Sequence, residues 1–598
     1  MDEPADGPLV AVLDALDAGD IAGARVCAGA GLAARPGDAR LWSVAGLCAR
    51  LAGDGAEAER CWQRAIDLQP DANTCNRLGE LLVAQGRLQE ALGCYAAAAD
   101  AGLADAVTWG NLGVLRMQAG EAEAAETAYG RALALAPGHV RTRVNLGVLL
   151  AADGRLVAAE QAYREALDGA PDDVAAHTNL GLVLEEARRY GEAEAHQRHA
   201  LALAPGVPEV HCHLADLLAR QPGGAADAEH HYHEALRLRP GYAIAHSNLG
   251  ALRFDQGRTE EAEAEMRTAL ALQPDFAAAR LNLGQLLLSL GRLQEGWPHV
   301  ELRYTLRVPG AMPGFPAHTR VPRWAGEPLA GRSLLVWPEQ GHGDQTQFCR
   351  YLAILRAQQR PARLTFACSA PLVPLLRSVA GPDAVIAQHE AAAALEQHDF
   401  WVPLLSLPLL CGTTLATIPG ETPYLCVEPA LADRWAARLP PHGLRVGLVW
   451  RGNVQHDNDA DRSLPGLATL APLWQVPGVQ FISLQKMAGE DEAQHPPAGQ
   501  PLLHLGTETD SFADTAAVMA GLDLLVAVDT AACHVAGAIG LPCWVLLPAF
   551  RNDWRWLRGR DDSPWYPGMR LFQQPVRGDW ATPVAQVAAA LAARASAR

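Results

Sequence analysis

One short segment in the second half of the sequence places polar groups where a phosphate could bind. The apolar run 524–528 is predicted to be a strand, and it ends at Asp529, Thr530 and Ala531. His534 lies one helical turn further on. A helix that begins there presents free backbone amides and a partial positive charge of about half a unit to an anion, and Thr530 would add a hydroxyl donor. The alternative is an ordinary helix start, capped by Asp529 or Thr530, with a packed histidine.

A second segment is a glycine loop between a strand and a helix. The run 333–337 is typical of a buried parallel strand, and the loop 338–344 follows it. The loop contains Gly341 and Gly343 and ends at Asp344, where a helix is predicted to begin. The carboxylate of Asp344 could cap that helix or exchange a proton with a substrate.

Further apolar runs alternate with helical segments across this half of the chain. Strands are expected at 363–368, 445–450, 479–484, 524–528 and 543–547. This alternation predicts parallel α/β layers in two lobes, 333–442 and 443–598. The last helix, near 582–596, is expected to fold back against the first lobe. A linker rich in proline and glycine, at 305–332, is expected before the lobes.

This half of the chain resembles the family nine glycosyltransferases, the heptosyltransferase group, whose fold is GT-B. The resemblance is clearest at 523–542, where Asp529, Thr530 and His534 match an Asp-Ser/Thr-Gly/Ala-x-x-His pattern. It extends over 333–580 in the order of elements. It implies two Rossmann-type lobes and a metal-independent, inverting transfer of a sugar from a nucleotide-sugar donor, with no further cofactor.

The resemblance also assigns roles to individual residues. It implies that Asp344 is the general base toward an acceptor hydroxyl and that Arg462 binds phosphate. Gln485 or Lys486 stands where the family contacts the nucleoside and often carries glutamate, and the alternative for Lys486 is a solvated side chain on a loop. The implied donor site also contains Gly341, Gly343, Asn453, Ser463, Asp529, Thr530, Ala531 and His534.

No metal site is expected near these residues. The segment 457–459 has the residue pattern of an Asp-x-Asp motif. No predicted strand precedes it, however, to fix the geometry of a magnesium ion. We interpret it as a loop that closes over the donor. An aromatic group near the C-terminus is expected to pack between the lobes, with sugar stacking as the alternative. It consists of Trp554, Trp556, Trp565 and Tyr566.

The first half of the sequence is periodic. Pro137, Pro171 and Pro205 are 34 residues apart, and small residues recur at fixed places between them. Gly113 and Tyr129 illustrate the pattern, in which a glycine lets two helices approach and a large side chain fills the gap opposite. This period and pattern resemble the tetratricopeptide repeat, a pair of packed helices.

The repeats are expected to fill residues 37–304, with seven full units and an eighth that runs into the linker. Residues 1–36 are predicted to be a degenerate capping repeat, because an end unit has only one neighbour. One extra residue near Gly223 and Gly224 is expected in the turn between the two helices of the sixth unit. The predicted fold class of the whole chain is an α superhelix followed by an α/β pair of lobes.

A row of asparagines precedes the Leu-Gly pair of five repeats. They are Asn111, Asn145, Asn179, Asn248 and Asn282. A side-chain amide can donate to and accept from a peptide group at once, so such a row could hold an extended protein segment of any sequence on the concave face. The alternative is that each asparagine bonds within its own repeat or to a neighbouring loop.

Charge and hydropathy exclude some classes of partner. A formal net charge of −18 gives no electrostatic attraction to nucleic acid or to an anionic membrane. The N-terminus is acidic where a signal peptide is basic, and no run of 18 apolar residues follows. The expectation is therefore a cytoplasmic protein with no transmembrane segment and no nucleic-acid partner.

The sequence favours a cytoplasmic, inverting glycosyltransferase whose repeats present a protein acceptor. One alternative is the protein O-linked N-acetylglucosamine transferase family, which also joins repeats to a GT-B fold, although the segments 341–344 and 529–534 resemble family nine more. The other alternative is a protein-interaction scaffold, in which the α/β domain has lost turnover and retains at most nucleotide binding.

Overall fold

The computed structural model of the chain describes residues 7–304, 315–316, 319–456 and 458–597. The chain divides into two compact units, Met1–Arg239 and Pro240–Arg598. The first unit consists of helices, and the second joins further helices to two parallel sheets. This is the predicted order of an α region followed by an α/β region.

The first unit is a series of helix pairs that follows the 34-residue period. Its helices are α1 (Gly7–Asp17), α2 (Ile21–Ala34), α3 (Ala39–Leu51), α4 (Gly55–Leu68), α5 (Ala72–Ala84), α6 (Leu88–Asp100), α7 (Ala106–Gln118), α8 (Ala122–Leu135), α9 (Val140–Ala152), α10 (Leu156–Gly169), α11 (Val174–Glu186), α12 (Tyr190–Leu203), α13 (Pro208–Arg220) and α14 (Ala225–Leu238). The pair α1 and α2 occupies the stretch predicted to be a degenerate cap. The turn 221–224 between α13 and α14 holds the predicted extra residue, with Gly223 at a φ of 82°.

Within each pair, a glycine of the first helix faces a large side chain of the second. A Cβ atom at Gly113 on α7 would stand 2.5 Å from Cε1 of Tyr129 on α8, so only glycine leaves room for this ring. Gly147 on α9 and Tyr163 on α10 repeat the arrangement with the same distance. Both tyrosines are buried, which confirms the predicted packing between the helices of a repeat.

Polar side chains of the repeats form hydrogen bonds and ion pairs with nearby residues, as two examples show. Asp105 caps α7, because its Oδ1 accepts from both the backbone N–H and the Oγ1 of Thr108 at 2.7 Å. Arg189, just before α12, pairs with Glu160 of the preceding repeat at 2.8 Å and with Glu192 at 2.6 Å. These polar groups are therefore satisfied within one repeat or between neighbouring repeats.

The second unit begins with four more helices of the same kind. They are α15 (Ala243–Asp255), α16 (Thr259–Leu272), α17 (Ala277–Ser289) and α18 (Leu293–Val300). The backbone N–H of Arg558 donates to the carbonyl of Ser289 at 2.9 Å, and its Nη2 donates to the carbonyl of Phe254 at 2.8 Å. Trp297 Nε1 donates to the carbonyl of Thr413 at 3.1 Å. These contacts explain why the boundary between the compact units lies before the last two repeats and not in the linker.

The first lobe contains a four-stranded parallel sheet. Its strands are β1 (Ser333–Trp337), β2 (Arg363–Cys368), β3 (Ala384–Ala387) and β4 (Phe400–Pro403), and its helices are α19 (His342–Phe348), α20 (Tyr351–Gln359), α21 (Val373–Leu376), α22 (Gln388–Leu395), α23 (Leu407–Leu410) and α24 (Pro429–Ala436). The strand order is β3-β2-β1-β4, so the winding reverses between β1 and β4. Strand β1 is apolar and buried, as its uninterrupted apolar run predicts.

A buried ion pair joins the end of the repeat helices to this lobe. Arg303 donates from Nε and Nη2 to the two carboxylate oxygens of Glu339, each at 3.0 Å. The side chains are 5% and 0% exposed. Glu339 also accepts the backbone N–H of Leu405, just after β4, at 2.9 Å. The pair therefore anchors the loop between β1 and α19 to a residue that precedes the linker.

The second lobe contains a six-stranded parallel sheet. Its strands are β5 (Leu444–Val449), β6 (Val479–Ser483), β7 (Leu503–His504), β8 (Leu524–Val528), β9 (Cys543–Leu547) and β10 (Met569–Gln573), and its helices are α25 (Asp459–Arg462), α26 (Glu490–Gln494), α27 (Phe512–Ala520), α28 (Ala531–Ala538) and α29 (Ala581–Ser596). The strand order is β10-β9-β8-β5-β6-β7, with a reversal between β8 and β5. Both lobes therefore have the doubly wound, Rossmann-type order.

Apolar side chains of both lobes form one continuous core. Trp556, Trp565 and Tyr566 are buried in it, as predicted for the aromatic group.

The last helix, α29, does not pack against the lobe that was predicted for it. Val584 and Leu591 of α29 are buried in a separate cluster of the second lobe. The prediction that this helix folds back against the first lobe is wrong, because its apolar face is covered by the sheet of its own lobe.

Candidate active site

The predicted donor residues lie at the carboxyl ends of neighbouring strands in the second lobe. The sheet places β9, β8 and β5 side by side, and the winding reverses between β8 and β5. In open parallel sheets, ligands bind in the crevice at such a reversal. Asn458, in the loop after β5, donates from Nδ2 to the carbonyl of Arg551, in the loop after β9, at 3.1 Å. The two loops therefore meet at the end of the sheet where Thr530 lies.

The start of α28 carries no side-chain cap. Thr530 occupies the N-cap position with an extended backbone and makes no capping hydrogen bond, which excludes the alternative that Thr530 caps the helix. Its Oγ1 is buried and has no hydrogen-bond partner within the described part of the chain. The first amides of a helix also lack partners inside the helix. This helix start thus presents several hydrogen-bond donors and the positive end of a dipole.

Arg462, at the end of α25, lies beside the same strand ends. A Cβ atom at Gly452 would stand 3.0 Å from Nη2 of Arg462, so glycine makes room for the guanidinium. The Nε of Arg462 is buried and makes no hydrogen bond to any described residue, with Asp459 Oδ1 at 3.7 Å. The positive charge of Arg462 also acts on Asp529, which immediately precedes Thr530. Arg462 and the start of α28 are therefore neighbours with unused donors.

Gln485 has a different role from the one predicted. Its side chain is 1% exposed. Oε1 accepts the backbone N–H groups of Trp450 and Arg451 at 2.9 and 3.0 Å, and Nε2 donates to the carbonyl of Ala488 at 2.8 Å. The predicted contact between Gln485 and a nucleoside is therefore corrected, because this amide is already used to hold the loop after β5.

Three other predicted donor residues bond within the loops around the site. Ser463 Oγ accepts the backbone N–H of Gly452 at 2.8 Å. Lys486 is exposed, as the solvated-loop alternative predicts, and its Nζ donates to the carbonyl of Thr509. Asn453 accepts a backbone N–H two residues further on at 3.0 Å. These bonds fix the backbone around Arg462 and Thr530.

Asp344 forms an ion pair with an arginine of the second lobe. Its Oδ1 accepts from Nη2 of Arg555 at 2.5 Å, and its Oδ2 accepts the backbone N–H of Gly341 at 3.1 Å. The side chains of Asp344 and Arg555 are 14% and 8% exposed. Asp344 therefore helps to cap α19, which begins at His342 and not directly after Asp344 as predicted, and it joins the two lobes at the same time.

The two lobes also touch at Gly343 and His534. A Cβ atom at Gly343 would stand 2.7 Å from Cδ2 of His534 and 3.5 Å from Cα of Ala531, so glycine allows the contact. His534 is 3% exposed, its Nδ1 lies 3.0 Å from the hydroxyl of Tyr566, and its ring stacks on Trp556. The structure thus favours the packed histidine over the phosphate or ribose contact predicted for it.

Burial changes the ionisation of the acidic and basic groups in this site. Burial first, and then the charge of Asp553, raise the pKa of Asp344 against the opposing effect of Arg555. The same two causes raise the pKa of Asp529 to about 6. Burial, together with Arg555 and a second buried arginine, holds the pKa of His534 well below its ordinary value. A carboxyl group with a raised pKa suits proton transfer near neutral pH.

Sequence reasoning missed Arg555 and Asp553. Arg555 is 6% exposed, and its Nη1 donates to Asp553 at 2.7 Å, in addition to its bond to Asp344. One signal in the sequence could have indicated them. Arg555 stands between Trp554 and Trp556, two residues after Asp553. Aromatic residues around a charged side chain indicate burial, and a buried charge needs a partner.

The asparagines of the first unit are half-buried and differ in their partners. Asn111 Nδ2 lies 3.4 Å from the hydroxyl of Tyr95, in the preceding repeat. Asn145 and Asn179 make no side-chain hydrogen bond to any residue that the structure describes. The amides of these two residues are therefore available to a partner.

In the second unit, the corresponding asparagines bond inside the protein. Asn282 Nδ2 lies 3.3 Å from Oγ of Ser247, and Asn248 also has an interaction partner. The amide of Asn282 therefore bonds a helix of the preceding repeat, rather than its own repeat or a neighbouring loop, and is not left free for the predicted peptide contact.

The described ranges contain neither a cluster of metal ligands nor a membrane-spanning helix. No group of three or more His, Cys, Asp or Glu side chains there is arranged to hold a metal ion. Asp457 of the Asp-x-Asp segment lies outside these ranges, and Asp459 accepts a hydrogen bond from Ser463 at 2.8 Å. Within the same ranges, no helix is both long and apolar enough to cross a bilayer.

Known proteins resemble parts of this chain. FlbA of Caulobacter vibrioides is 28% identical over 323 residues, which are 50% of this chain and 52% of FlbA, so the chain spans about half the length of this relative. A tetratricopeptide repeat protein from Parabacteroides merdae is 21% identical with a TM-score of 0.36, and the match covers 40% of this chain and 96% of that one. The thermophilic protein TTC0263 of Thermus thermophilus is 27% identical with a TM-score of 0.26, over 28% of this chain and 96% of that one.

Seven stretches of the chain match the tetratricopeptide repeat family. They are 9–73, 52–106, 76–140, 111–174, 158–208, 214–265 and 252–296. The glycine and tyrosine pairs of α7 to α10 lie within these stretches and give the match its physical basis. Residues 9–296 are therefore tetratricopeptide repeats.

Proposed function

We propose that the two lobes transfer a sugar from a nucleotide-sugar donor to a hydroxyl group, without a metal ion, and that the repeats present the protein that carries this hydroxyl. The observation that carries the proposal is the start of α28. It combines a buried, unpartnered Thr530 hydroxyl with free helix amides at the winding reversal of a Rossmann-type sheet.

The leaving group in such a reaction is a nucleoside diphosphate, which gains negative charge as its bond to the sugar breaks. Thr530 Oγ1 and the Nε of Arg462 are donors that no described residue uses, and the first amides of a helix lack partners inside the helix. Donors that are fixed before the reaction stabilise developing charge without reorganisation. An arginine can also bind a phosphate through two parallel hydrogen bonds. These groups support binding of a diphosphate at this place.

Asp344 supplies the base in this proposal. It belongs to the first lobe, whereas the anion-binding groups belong to the second, as a direct displacement requires of a base and a leaving group on opposite sides of the sugar. The acceptor oxygen bonds to the anomeric carbon and gives its proton to Asp344. The bond between that carbon and the diphosphate oxygen breaks, and its electron pair leaves with the diphosphate.

The repeats of the first unit support a protein acceptor. Asn145 and Asn179 occupy equivalent places in successive repeats, and both amides are free of described partners. Each could bond one peptide group of an extended segment, so recognition would depend little on sequence. Once the donor is known, labelled donor and a mixed-sequence peptide library test this step. N145A/N179A should label the library several-fold less than the unchanged protein does, with the rate of donor hydrolysis unchanged.

A thermal-shift panel tests the donor site. Five nucleoside diphosphates, with uracil, guanine, adenine, cytosine or thymine as the base, and their sugar conjugates are each added to the full-length protein. A ligand present at a hundred times its Kd stabilises the folded state by about 2.7 kcal/mol. The nucleotides that carry one of the five bases should therefore raise the melting temperature more than the others do. R462M should weaken binding of that ligand about tenfold to a hundredfold, because it removes a charged hydrogen-bond donor.

The matched control is R570M. Arg570 lies on β10 of the same lobe and is exposed, so this variant removes the same charge away from the site. It should bind the ligand as the unchanged protein does. A panel with no response, or an R462M variant that binds normally, would contradict the proposed donor site.

A second candidate function is a protein-interaction scaffold with a degenerate transferase domain. The observations that favour it are that both oxygens of Asp344 already have partners and that the Gln485 amide is fully used within the protein. Labelled nucleotide sugar separates the two functions. A scaffold binds the nucleotide and turns nothing over, whereas a transferase releases or transfers labelled sugar and loses this activity in D344A while still binding the donor.

A further inference from the structure

Arg555 is surrounded by more negative charge than it can neutralise. Its Nη2 bonds Asp344 at 2.5 Å and its Nη1 bonds Asp553 at 2.7 Å. The charge of Arg555 also acts on Asp529, the third carboxylate of the group. Three buried or half-buried carboxylates thus share this guanidinium, with Arg462 as the second cation beside Asp529.

The guanidinium also has an unused donor. The Nε of Arg555 is buried and bonds to no residue in the described ranges. The whole side chain is 8% exposed, so water does not readily satisfy this N–H. An unmet buried donor is costly, and a guanidinium matches the oxygens of a phosphate as well as those of a carboxylate. Arg555 therefore has one donor left that a phosphate oxygen could accept from.

We infer that the ion pair between Asp344 and Arg555 is a latch, which a bound diphosphate opens by taking Arg555 and releasing Asp344. This inference rests on the proposed function, because it takes a nucleoside diphosphate as the ligand of the cleft. Arg555 is a second phosphate-binding arginine beside Arg462. Asp344 becomes free to accept a proton only when the donor occupies the site.

The geometry makes this exchange a small movement. Asp344 belongs to the first lobe and Arg555 to the second, and their contact lies close to the place where Gly343 meets His534 and Ala531, at the start of α28. The Oδ2 of Asp344 keeps its bond to the backbone N–H of Gly341 while Oδ1 loses its partner. In this exchange only the hydrogen bond between Asp344 Oδ1 and Arg555 Nη2 has to break.

The latch predicts a gain of affinity from the loss of a catalytic group. In D344N, the asparagine keeps the shape of Asp344 but no longer competes for Arg555 with a negative charge. Isothermal titration of the full-length protein with the nucleoside diphosphate chosen by the panel should show about fivefold to tenfold tighter binding. Because loss of the Asp344 charge also weakens its direct repulsion of the diphosphate, the latch further requires that the gain disappears when Arg555 is replaced as well, in D344N/R555K. Unchanged or weaker binding in D344N, or a gain that persists in D344N/R555K, overturns the latch.

A matched control and a second variant complete the test. D562N removes the same charge from an exposed ion pair with Arg560, nine residues after Asp553 in the chain, and should bind as the unchanged protein does. R555K keeps the charge but loses the planar fork, and it should bind about tenfold more weakly with its circular dichroism spectrum intact. A folded R555K variant with normal affinity rejects Arg555 as a phosphate ligand and so overturns the inference.

The outcomes also separate this inference from the function on which it rests. If the unchanged protein binds no nucleoside diphosphate, the proposed function fails and the latch fails with it. If the unchanged protein binds, R462M binds weakly, and D344N and R555K both bind normally, the donor site stands and only the latch is rejected.

Discussion

The cleft of the second lobe gathers buried, unpartnered hydrogen-bond donors at one place, whereas the repeats of the first unit do not. In the repeats, Asp105 satisfies Thr108 and Arg189 bonds two glutamates. The buried repeat atoms that have no described partner lie in different repeats, and they include Asn76 Oδ1, the hydroxyl of Tyr129 and Gln197 Oε1. In the cleft, Thr530 Oγ1 and the Nε of Arg462 are buried with no described partner. Each such group costs about 1–3 kcal/mol until it is satisfied. The clustering of unused donors in the cleft indicates that a ligand would stabilise it, whereas the scattered unpartnered atoms of the repeats indicate no such site.

Removal of a repeat tyrosine should have the largest effect. Tyr129 is 0% exposed and fills the space opposite Gly113, so Y129A should lower the free energy of unfolding of the first unit by about 3–5 kcal/mol. Urea denaturation followed by circular dichroism measures this loss. Y190A is the control, because Tyr190 is 37% exposed and should cost less than about 1 kcal/mol. Equal losses would show that the glycine and tyrosine pair does not hold the repeat together.

The acidic group of the cleft should make stability depend on pH. The pKa of Asp529 is about 6 in the folded protein against about 3.9 in an unfolded chain, so the folded state holds this proton more tightly. The stabilisation is full below about pH 4 and is lost as the pH rises through 6. D529N does not titrate, so between pH 4 and pH 7 the unchanged protein should lose about 2–3 kcal/mol relative to it.

Urea denaturation at pH 4, 5, 6 and 7 measures this difference. D562N provides the control, because Asp562 is exposed and its pKa is lowered by its bond to Arg560, not raised by burial. Parallel pH curves for D529N and the unchanged protein would contradict a raised pKa at Asp529.

Two threonine substitutions should change stability in opposite directions. T530V removes a buried hydroxyl without a partner, so the ligand-free protein should keep its stability or gain about 1 kcal/mol. T108V removes a buried hydroxyl that bonds Asp105 at 2.7 Å, so it should lose about 1 kcal/mol. Thermal denaturation of both variants tests the contrast between cleft and repeats directly. A loss in T530V as large as in T108V would mean that the two regions do not differ in this respect.

The smallest effect is expected at an exposed ion pair of the repeats. The side chain of Arg189 is 38% exposed, so R189M should cost less than about 1 kcal/mol despite its two glutamate partners. The difference should shrink further in about 0.5 M NaCl, because salt screens exposed charges. A loss of several kcal/mol that persists in salt would show that local pairing contributes more than expected.

The repeats could be predicted closely because their contacts are local and periodic. Gly113 and Tyr129 are 16 residues apart, and the same spacing returns in successive repeats. The buried strands β1, β5 and β8 were also predictable as apolar runs between polar segments. The strands β3, β4, β7 and β10 were not predicted. Strand β7 is only two residues long, and no apolar run of that length is distinctive.

The sequence predicted where the site lies in the fold, but it did not predict which side chains contact one another there. A strand followed by Asp529 and Thr530 marks a helix start at the end of a parallel strand, whatever the rest of the chain does. The partner of Asp344 is 211 residues away in sequence, and no local pattern connects it with Arg555. For the same reason the sequence suggested a nucleoside contact for Gln485, where the fold uses that amide on the backbone of the loop after β5.

The buried pair of Arg303 and Glu339 decides how this chain can be shortened. Glu339 is 0% exposed and belongs to the first lobe, whereas its guanidinium partner comes from before the linker. A shortened chain that starts at β1 would leave this carboxylate in the protein interior with no counter-charge, at a cost of about 3–5 kcal/mol. The smallest piece suited to crystallisation or nucleotide titration therefore starts at Pro240 and keeps the last two repeats attached to the lobes.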